Sequence, residues 1–95
     1  MKCPLVLTPQ FARAFRKITR RHTELQQRIE ESLQRMEEDV FAPTLDTHKI
    51  SGTLAGLRAC TCGYDCRIVF SLERSPNSDT EVIVLLNIGT HDEVY

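Results

Sequence analysis

The sequence predicts an α+β fold in which a helical hairpin packs on one face of a mainly antiparallel, four-stranded sheet. Two helical patterns follow each other in the first half of the chain, and alternating or fully apolar runs occupy the second half. With 95 residues, of which 41% are hydrophobic, the chain suits one domain with a single core. We therefore expect a single domain over residues 1–95 with the element order β-α-α-β-β-β.

The first elements are a short strand at about residues 4–7 and an amphipathic helix. Thr8 is a typical N-cap, and Pro9 fits the first helical position, where a missing N–H costs nothing. The apolar side chains that recur behind them at helical spacing are Phe11, Ala14, Phe15 and Ile18. Because the basic residues of this segment fall elsewhere on the helical wheel, the outer face of the helix should be basic.

A second helix is predicted to begin at Thr23, after a break around Arg21 and His22. The sequence Thr23-Glu24-Leu25-Gln26 has the spacing of a capping box. The apolar stripe behind it is Leu25, Ile29, Leu33 and Met36, and the pattern ends in an acidic run at 37–39. A short turn should make the two helices antiparallel.

The second half of the chain predicts three strands behind a loop. In order, these segments are a loop over 40–52, strands at about 54–61 and 65–72 joined by a turn at 62–64, a polar hairpin loop over 75–79, and a last strand from Glu81. The last strand contains an unbroken apolar run, 82–86. Such a run is typical of a strand that is covered on both faces in the interior of a sheet.

Strand alternation predicts which side chains lie away from the helices. The core-facing set is Cys66, Ile68, Phe70 and Leu72, and the opposite set is Asp65, Arg67, Val69 and Ser71. On the last strand we assign Asn87 to one face and Leu86 and Ile88 to the other. His91 would then overhang the same surface as Arg67.

This open face assembles a candidate site of His48, Asp65, Arg67, His91 and Tyr95. A titratable group at the end of a rigid interior strand suits acid–base chemistry, which favours a role for His91. Two other interpretations stay open: His91 as a surface histidine at a frayed terminus, and Arg67 as a sheet arginine paired with Asp65.

The net charge of -1 hides an uneven distribution of charge. Residues 1–22 carry six basic and no acidic side chains, whereas the rest of the chain carries six basic and 13 acidic ones. This asymmetry suggests a basic surface for a polyanion or an acidic protein, although a solvated helix face is the commoner explanation for such a run.

Nothing in the sequence indicates secretion or a membrane segment, so we expect a cytoplasmic protein. Its four cysteines are Cys3, Cys60, Cys62 and Cys66, which we expect to be reduced, packed thiols. Two alternatives remain: a structural zinc completed by Cys3 or His91, and a Cys62–Cys66 disulfide formed on oxidation. We expect no metal and no cofactor.

Four segments carry a family resemblance: His48-Lys49-Ile50-Ser51-Gly52, Gly56-Leu57-Arg58, Asp65-Cys66-Arg67-Ile68-Val69-Phe70 and Gly89-Thr90-His91-Asp92-Glu93-Val94-Tyr95. With the element order, they resemble the RelE/ParE toxin superfamily, and within it the YafQ branch of RelE-type endoribonucleases. The resemblance covers nearly the whole chain and is strongest from His48 onward. It implies a type II toxin that cleaves mRNA, typically in the ribosomal A site, and that a neighbouring antitoxin neutralises.

The resemblance also implies residue roles. His48 stands at an active-site histidine of YafQ-like toxins, and Asp65 matches their catalytic aspartate. His91 matches the histidine that acts in proton transfer, and Tyr95 matches the terminal aromatic residue. Arg67 matches better the strand arginine of RelE itself. Two positions depart from the YafQ-like pattern, which has a histidine in place of Thr61 and an arginine in place of Asn87, and this bears on the rate and the division of roles.

Metal-free RNA cleavage requires a base for the 2′-OH proton, positive charge for the phosphorane and an acid for the departing 5′ oxygen. His91 is the best acid, Asp65 or His48 the base, and Arg67 the phosphate clamp. Tyr95 would stack on or position a base. The basic residues expected to attract RNA are Lys49, Arg58, Arg13, Arg16, Lys17, Arg20 and Arg21.

Two other functions remain open. ParE-like members share the fold and are associated with DNA gyrase rather than RNA cleavage, and a degenerate toxin would mainly bind antitoxin. His48 and His91 favour the nuclease, because a pure binding module needs no paired titratable groups. The expected partners are a cognate antitoxin, mRNA and the ribosome, with room for a higher-order toxin–antitoxin complex and no membrane.

Overall fold

The structure is a computed structural model that describes residues 3–50, 56–63, 65–74, 80–90 and 94. Its elements are β1 (Leu5–Leu7), α1 (Pro9–Thr19), α2 (Thr23–Glu38), a 3₁₀ turn (Pro43–Leu45), β2 (His48–Lys49), β3 (Arg58–Gly63), β4 (Cys66–Arg74) and β5 (Glu81–Gly89). The strands form one sheet in the order β1-β5-β4-β3-β2. The predicted α+β class, with two helices on the sheet, is confirmed.

The sheet contains five strands within the described ranges, instead of the four predicted. The additional strand is β2, which lies in the predicted loop and pairs antiparallel with β3 through His48 and Lys49. Two residues are too few to show the alternation by which a strand is recognised in a sequence. The sheet is also mixed, because β1 runs parallel to β5.

The predicted start of α1, with Thr8 as the N-cap and Pro9 as the first helical residue, is confirmed. Thr8 Oγ1 accepts a hydrogen bond from the Phe11 N–H at 3.2 Å and donates one to the Leu85 carbonyl at 2.8 Å. The same hydroxyl therefore caps the helix and attaches its first turn to β5.

The second helix begins at Thr23 as predicted, but the predicted capping box is wrong. The N-cap is His22, which makes no side-chain capping bond, and its carbonyl accepts the Gln26 N–H at 3.0 Å. Arg21, with φ of 65°, makes the turn between the helices. Because His22 is the N-cap, Thr23 is the first residue inside the helix rather than its cap. In the part of the chain that the structure describes, neither helix has the length and apolar character of a bilayer span.

The core lies between the helices and one face of the sheet. Its fully buried members include Phe11 from α1, Ile29 and Met36 from α2, and Ile68, Phe70, Ile83 and Leu85 from β4 and β5. These residues follow the predicted helical stripes and the predicted alternation of β4. The interior position of β5 is confirmed, but its second face, which includes Val84, is only half-buried.

A β-bulge changes the faces of the last strand. Val69 of β4 opposes Asn87, while the next residue of β4 opposes Leu85, so Leu86 is an extra residue in β5. Leu85 and Ile88 are consequently both buried in the core. The prediction that Leu86 and Ile88 share a face is wrong, because one inserted residue breaks strict alternation.

The turn between β3 and β4 is closed by a disulfide that joins Cys62 to Cys66. This corrects the prediction that all four cysteines are reduced. The pairing shifts between Thr61 and Gly63, and the two cysteine Cα atoms lie 5.1 Å apart, a distance that a disulfide spans. Cys60 is free, and burial raises the pKa of its thiol to about 12 against the opposing effect of Arg67, so it is a packed thiol.

Removing the disulfide should destabilise the domain moderately. Cys62 and Cys66 are only four positions apart, so the cross-link contributes about 2 kcal/mol by restricting the unfolded chain. We expect Cys62→Ala with Cys66→Ala to lower the free energy of unfolding by that amount in urea titrations. Reductant should destabilise the wild type and leave the double variant unchanged; an equal effect on both proteins would contradict this prediction.

Candidate functional site

The face of the sheet away from the helices, which we call the open face, carries the predicted site in two rows. One row crosses four strands as His48, Ala59, Val69 and Asn87. The adjacent row is Thr61, Arg67 and Gly89. Because directly paired residues of antiparallel strands point to the same face, His48 and Arg67 share the open face.

Strand geometry gives the separation of these two residues. β2 and β4 are two strand spacings apart, about 10 Å, and Arg67 lies two positions, about 7 Å, along β4 from the row of His48. Their Cα atoms are thus about 12 Å apart. Ala59 and Val69, which lie between these two residues in the rows, are buried.

Arg67 is oriented by its Nη1, which donates to Thr61 Oγ1 at 3.3 Å and to the Cys66 carbonyl at 3.0 Å. These partners are a hydroxyl and a carbonyl, rather than the Asp65 carboxylate of the alternative interpretation. Thr61 is itself held by donating to the Gly63 carbonyl at 2.8 Å. The guanidinium, which stays protonated in proteins, therefore has a defined orientation on the open face.

Thr61 is a residue of the candidate site whose contact with Arg67 sequence reasoning missed. In the sequence it counted only as a departure from a histidine, whereas in the structure it is the cross-strand neighbour of Arg67 and accepts its hydrogen bond. The strand register of the β3–β4 hairpin is the signal that would have identified it.

Asp65 does not lie on β4, which begins at Cys66. It is exposed in the preceding turn and lines a cavity of about 280 Å³ with the helix residues Ile18, Leu25 and Arg28. The prediction that alternation places Asp65 on the open face beside Arg67 is wrong, because the disulfide-closed turn is not extended.

His48 is exposed, and its Nδ1 lies 3.0 Å from the Asp46 carbonyl oxygen. A carbonyl only accepts, so this hydrogen bond places a proton on Nδ1. In the neutral ring the basic nitrogen is then Nε2.

The predicted RNA-binding residues lie apart from Arg67. The Arg58 guanidinium lies over the Phe41 ring, 5.3 Å from its centroid. Arg58 is paired with Lys49, and this pair is next to the pair formed by His48 and Ala59, so its side chains point to the opposite face of the sheet. Arg58 is therefore on the helix side of the sheet. The remaining members, Arg13, Arg16, Lys17, Arg20 and Arg21, are exposed on α1 and the turn after it. Contact of these residues with RNA stays a prediction.

His91 and Tyr95 lie outside the described residues, so their roles stay predictions. β5 ends at Gly89 in the row of Arg67, two positions before His91 in the sequence. Beyond it, the N–H of the buried Val94 donates to the Thr90 carbonyl at 3.1 Å.

No structural feature of the described residues indicates a metal centre, since they contain no cluster of three or more His, Cys, Asp or Glu side chains arranged for an ion. In the zinc alternative, Cys62 and Cys66 were ligands. Their sulfurs are joined to each other instead.

Among the solved structures that this chain resembles are bacterial toxins. YafQ from Escherichia coli BL21(DE3) superposes with a TM-score of 0.76 at 12% identity over 99% of each chain. The E. coli DinJ–YafQ toxin–antitoxin complex gives 0.75 at 13% identity, over 100% of this chain and 99% of that one. A YoeB/ParE toxin from Agrobacterium tumefaciens gives 0.75 at 16% identity, over 93% of this chain and 98% of that one.

These superpositions establish the fold, and sequence identities this low leave the activity open. No protein-family model matches the chain, and no curated protein does so. The chain thus has the RelE-like toxin fold that the sequence predicted.

Proposed function

We propose that this chain, which has the fold of the RelE-like toxins, is the toxin of a type II toxin–antitoxin pair and a metal-independent endoribonuclease that cleaves mRNA in the ribosomal A site. The observation that carries the proposal is the open face, where Thr61 and the Cys66 carbonyl orient Arg67 and where His48 shares the surface. A fixed cation and an imidazole on one surface are two of the groups that RNA cleavage by 2′-OH attack requires.

In the proposed reaction, His48 Nε2 accepts the 2′-OH proton while the 2′ oxygen attacks phosphorus. The guanidinium of Arg67 stabilises the charge of the phosphorane. The bond from phosphorus to the 5′ oxygen then breaks, and His91 protonates that oxygen. The products are a 2′,3′-cyclic phosphate and a 5′-hydroxyl, and Tyr95 positions a base by stacking.

Of the two candidate bases, His48 is favoured by its place on the open face. Asp65 instead lies in the turn before β4, and it borders a cavity that is lined by Ile18, Leu25 and Arg28 and also by Gly89 and Thr90 at the end of β5. A base must lie within hydrogen-bond reach of the proton that it removes, and in this proposal the phosphate binds at Arg67. We therefore give Asp65 the role of alternative base.

The proposed protein partner is an antitoxin. The solved DinJ–YafQ complex pairs a toxin of this fold with its antitoxin. The exposed basic residues of α1 favour an acidic segment in such a partner. A cytoplasmic location follows from the proposed action on the ribosome.

The proposal predicts discrete mRNA cleavage in cells. Brief induction of the wild type should produce cuts within translated codons, mapped by primer extension, and His91→Ala should lose them because removal of a general acid costs roughly 10²–10⁴ in rate. Arg74→Ala is the control, since Arg74 is exposed at the opposite end of β4, about 24 Å from Arg67.

Each contrary result indicates another function. Growth arrest with intact mRNA favours a ParE-like action on DNA gyrase. Intact mRNA with normal growth favours a degenerate toxin that mainly binds antitoxin. Full cleavage by folded His91→Ala would remove His91 from the mechanism and leave the nuclease itself standing.

A further inference from the structure

A second cavity, of about 330 Å³, lies between α2 and the end of β3. It shares Thr61 with the open face, and no step of the proposed cleavage takes place in it. Its polar lining consists of Arg28, Glu31, Ser32, Arg35, Thr44 and Thr61.

Three of these side chains lie on one face of α2. Arg28, Ser32 and Arg35 occupy positions i, i+4 and i+7, so the two arginines lie about 10 Å apart along the helix axis on either side of the serine. Ser32 is only 6% exposed, and among the described residues it is the one polar side chain that is classed as buried. The helix therefore presents a hydroxyl between two cations at the cavity wall.

The opposite wall of the cavity is formed where β2 ends and β3 becomes the edge strand of the sheet. β2 pairs with β3 only at Arg58 and Ala59, so the segment of β3 from Thr61 onward borders the cavity. Thr44 of the 3₁₀ turn adds a second hydroxyl. Thr61 also accepts the hydrogen bond of Arg67, so this residue lies between the cavity and the proposed clamp.

The charge of the cavity is positive. Two arginines oppose one carboxylate, that of Glu31, in the lining of this cavity. Guanidinium groups bind phosphate in a bidentate manner, and hydroxyl groups complete such sites by donating to the remaining oxygens.

From this arrangement we propose that the cavity is a second phosphate subsite, which holds a phosphodiester of the single-stranded RNA that passes around the β3 edge from Arg67. Arg28 and Arg35 clamp the phosphate, and Ser32 donates a hydrogen bond to it. This inference rests on the proposed function for its source of phosphate, and it adds a site that the cleavage chemistry does not require.

Salt dependence of RNA binding tests the subsite. The probe is a short, 2′-deoxy-substituted RNA strand that cannot be cleaved, followed by fluorescence anisotropy. Arg28→Gln and Arg35→Gln should each reduce the steepness with which the logarithm of the association constant falls against the logarithm of the salt concentration, by about 0.7. Each variant should also weaken RNA binding about fivefold at 0.1 M salt. Arg74→Gln removes an equal charge far from the cavity and should change neither value.

Two neighbouring glutamates provide a second test, in which the expected change is tighter rather than weaker RNA binding. Glu31 lines the cavity, whereas its exposed neighbour Glu30 does not. Glu31→Gln should tighten RNA binding because it removes repulsion of the phosphate, and Glu30→Gln should tighten it much less. Equal effects of the two variants would reduce the site to general surface charge and overturn the inference.

Inorganic phosphate separates this inference from the proposed nuclease. Titration of the ¹⁵N-labelled wild type should move the Ser32 and Thr61 amide resonances, and the Arg28→Gln, Arg35→Gln double variant should lose these shifts. RNA binding and cleavage with no effect of either arginine would overturn the subsite and leave the nuclease standing. Loss of antitoxin binding alone in the arginine variants would make the cavity a site for an acidic peptide and overturn the phosphate assignment.

Discussion

Arg67→Leu is expected to lower the rate of RNA cleavage by about 10²–10³, because it removes the donor that stabilises the phosphorane. Arg67 is oriented by Thr61 Oγ1 and the Cys66 carbonyl, so its stabilising charge is already in place before substrate binds. Single-turnover cleavage of a labelled mRNA on programmed ribosomes measures this loss. A folded Arg67→Leu protein with the wild-type rate would remove Arg67 from the mechanism.

Two further variants separate the charge of Arg67 from its orientation. Arg67→Lys keeps the charge but loses the planar fork, so it should recover only part of the rate. Thr61→Val removes the hydroxyl that accepts from Nη1, and it should lower kcat more than it raises KM, since a misdirected clamp still attracts RNA. Arg74→Leu, on the same strand, should cleave at the wild-type rate.

Phe70→Ala is expected to lower the free energy of unfolding by about 3–5 kcal/mol, because it empties a fully buried site of the core. Phe70 lies on β4, the middle strand of the sheet, under the helical hairpin. A loss of this size is a large part of the roughly 5–15 kcal/mol that stabilises a typical domain. Urea titration followed by circular dichroism measures it.

Phe41 is the matched control for that substitution. Its ring is 56% exposed, and its described aromatic contact is with the Arg58 guanidinium at 5.3 Å. Phe41→Ala should therefore cost no more than about 1 kcal/mol. Equal losses in the two variants would contradict the assignment of Phe70 to the core.

Local physical chemistry explains which elements were predicted correctly. Thr8 and Pro9 specify the start of α1 because capping depends on groups within one turn. The stripe that includes Ile29 and Met36 records the face of α2 that is buried, and alternation around Ile68 does the same for β4. Each of these signals lies within a few residues of the element that it predicts.

The candidate site was predicted only in part, because it depends on pairing between distant segments. His48 and Arg67 share the open face through the register of β2, β3 and β4. Asp65 was misplaced because the disulfide turns the chain before β4 begins. Thr61 gained its role only from being opposite Arg67.

The sequence by itself therefore determined the two helices, their buried stripes, the core-facing side of β4 and the resemblance to RelE-like toxins. The tertiary structure alone decided the two-residue β2, the extra residue Leu86, the Cys62–Cys66 bond and the cavity beside Ser32. The physical reason is that hydrophobic periodicity acts over one or two turns of chain, whereas strand register and the approach of a helix to a sheet edge are set by packing of the whole domain.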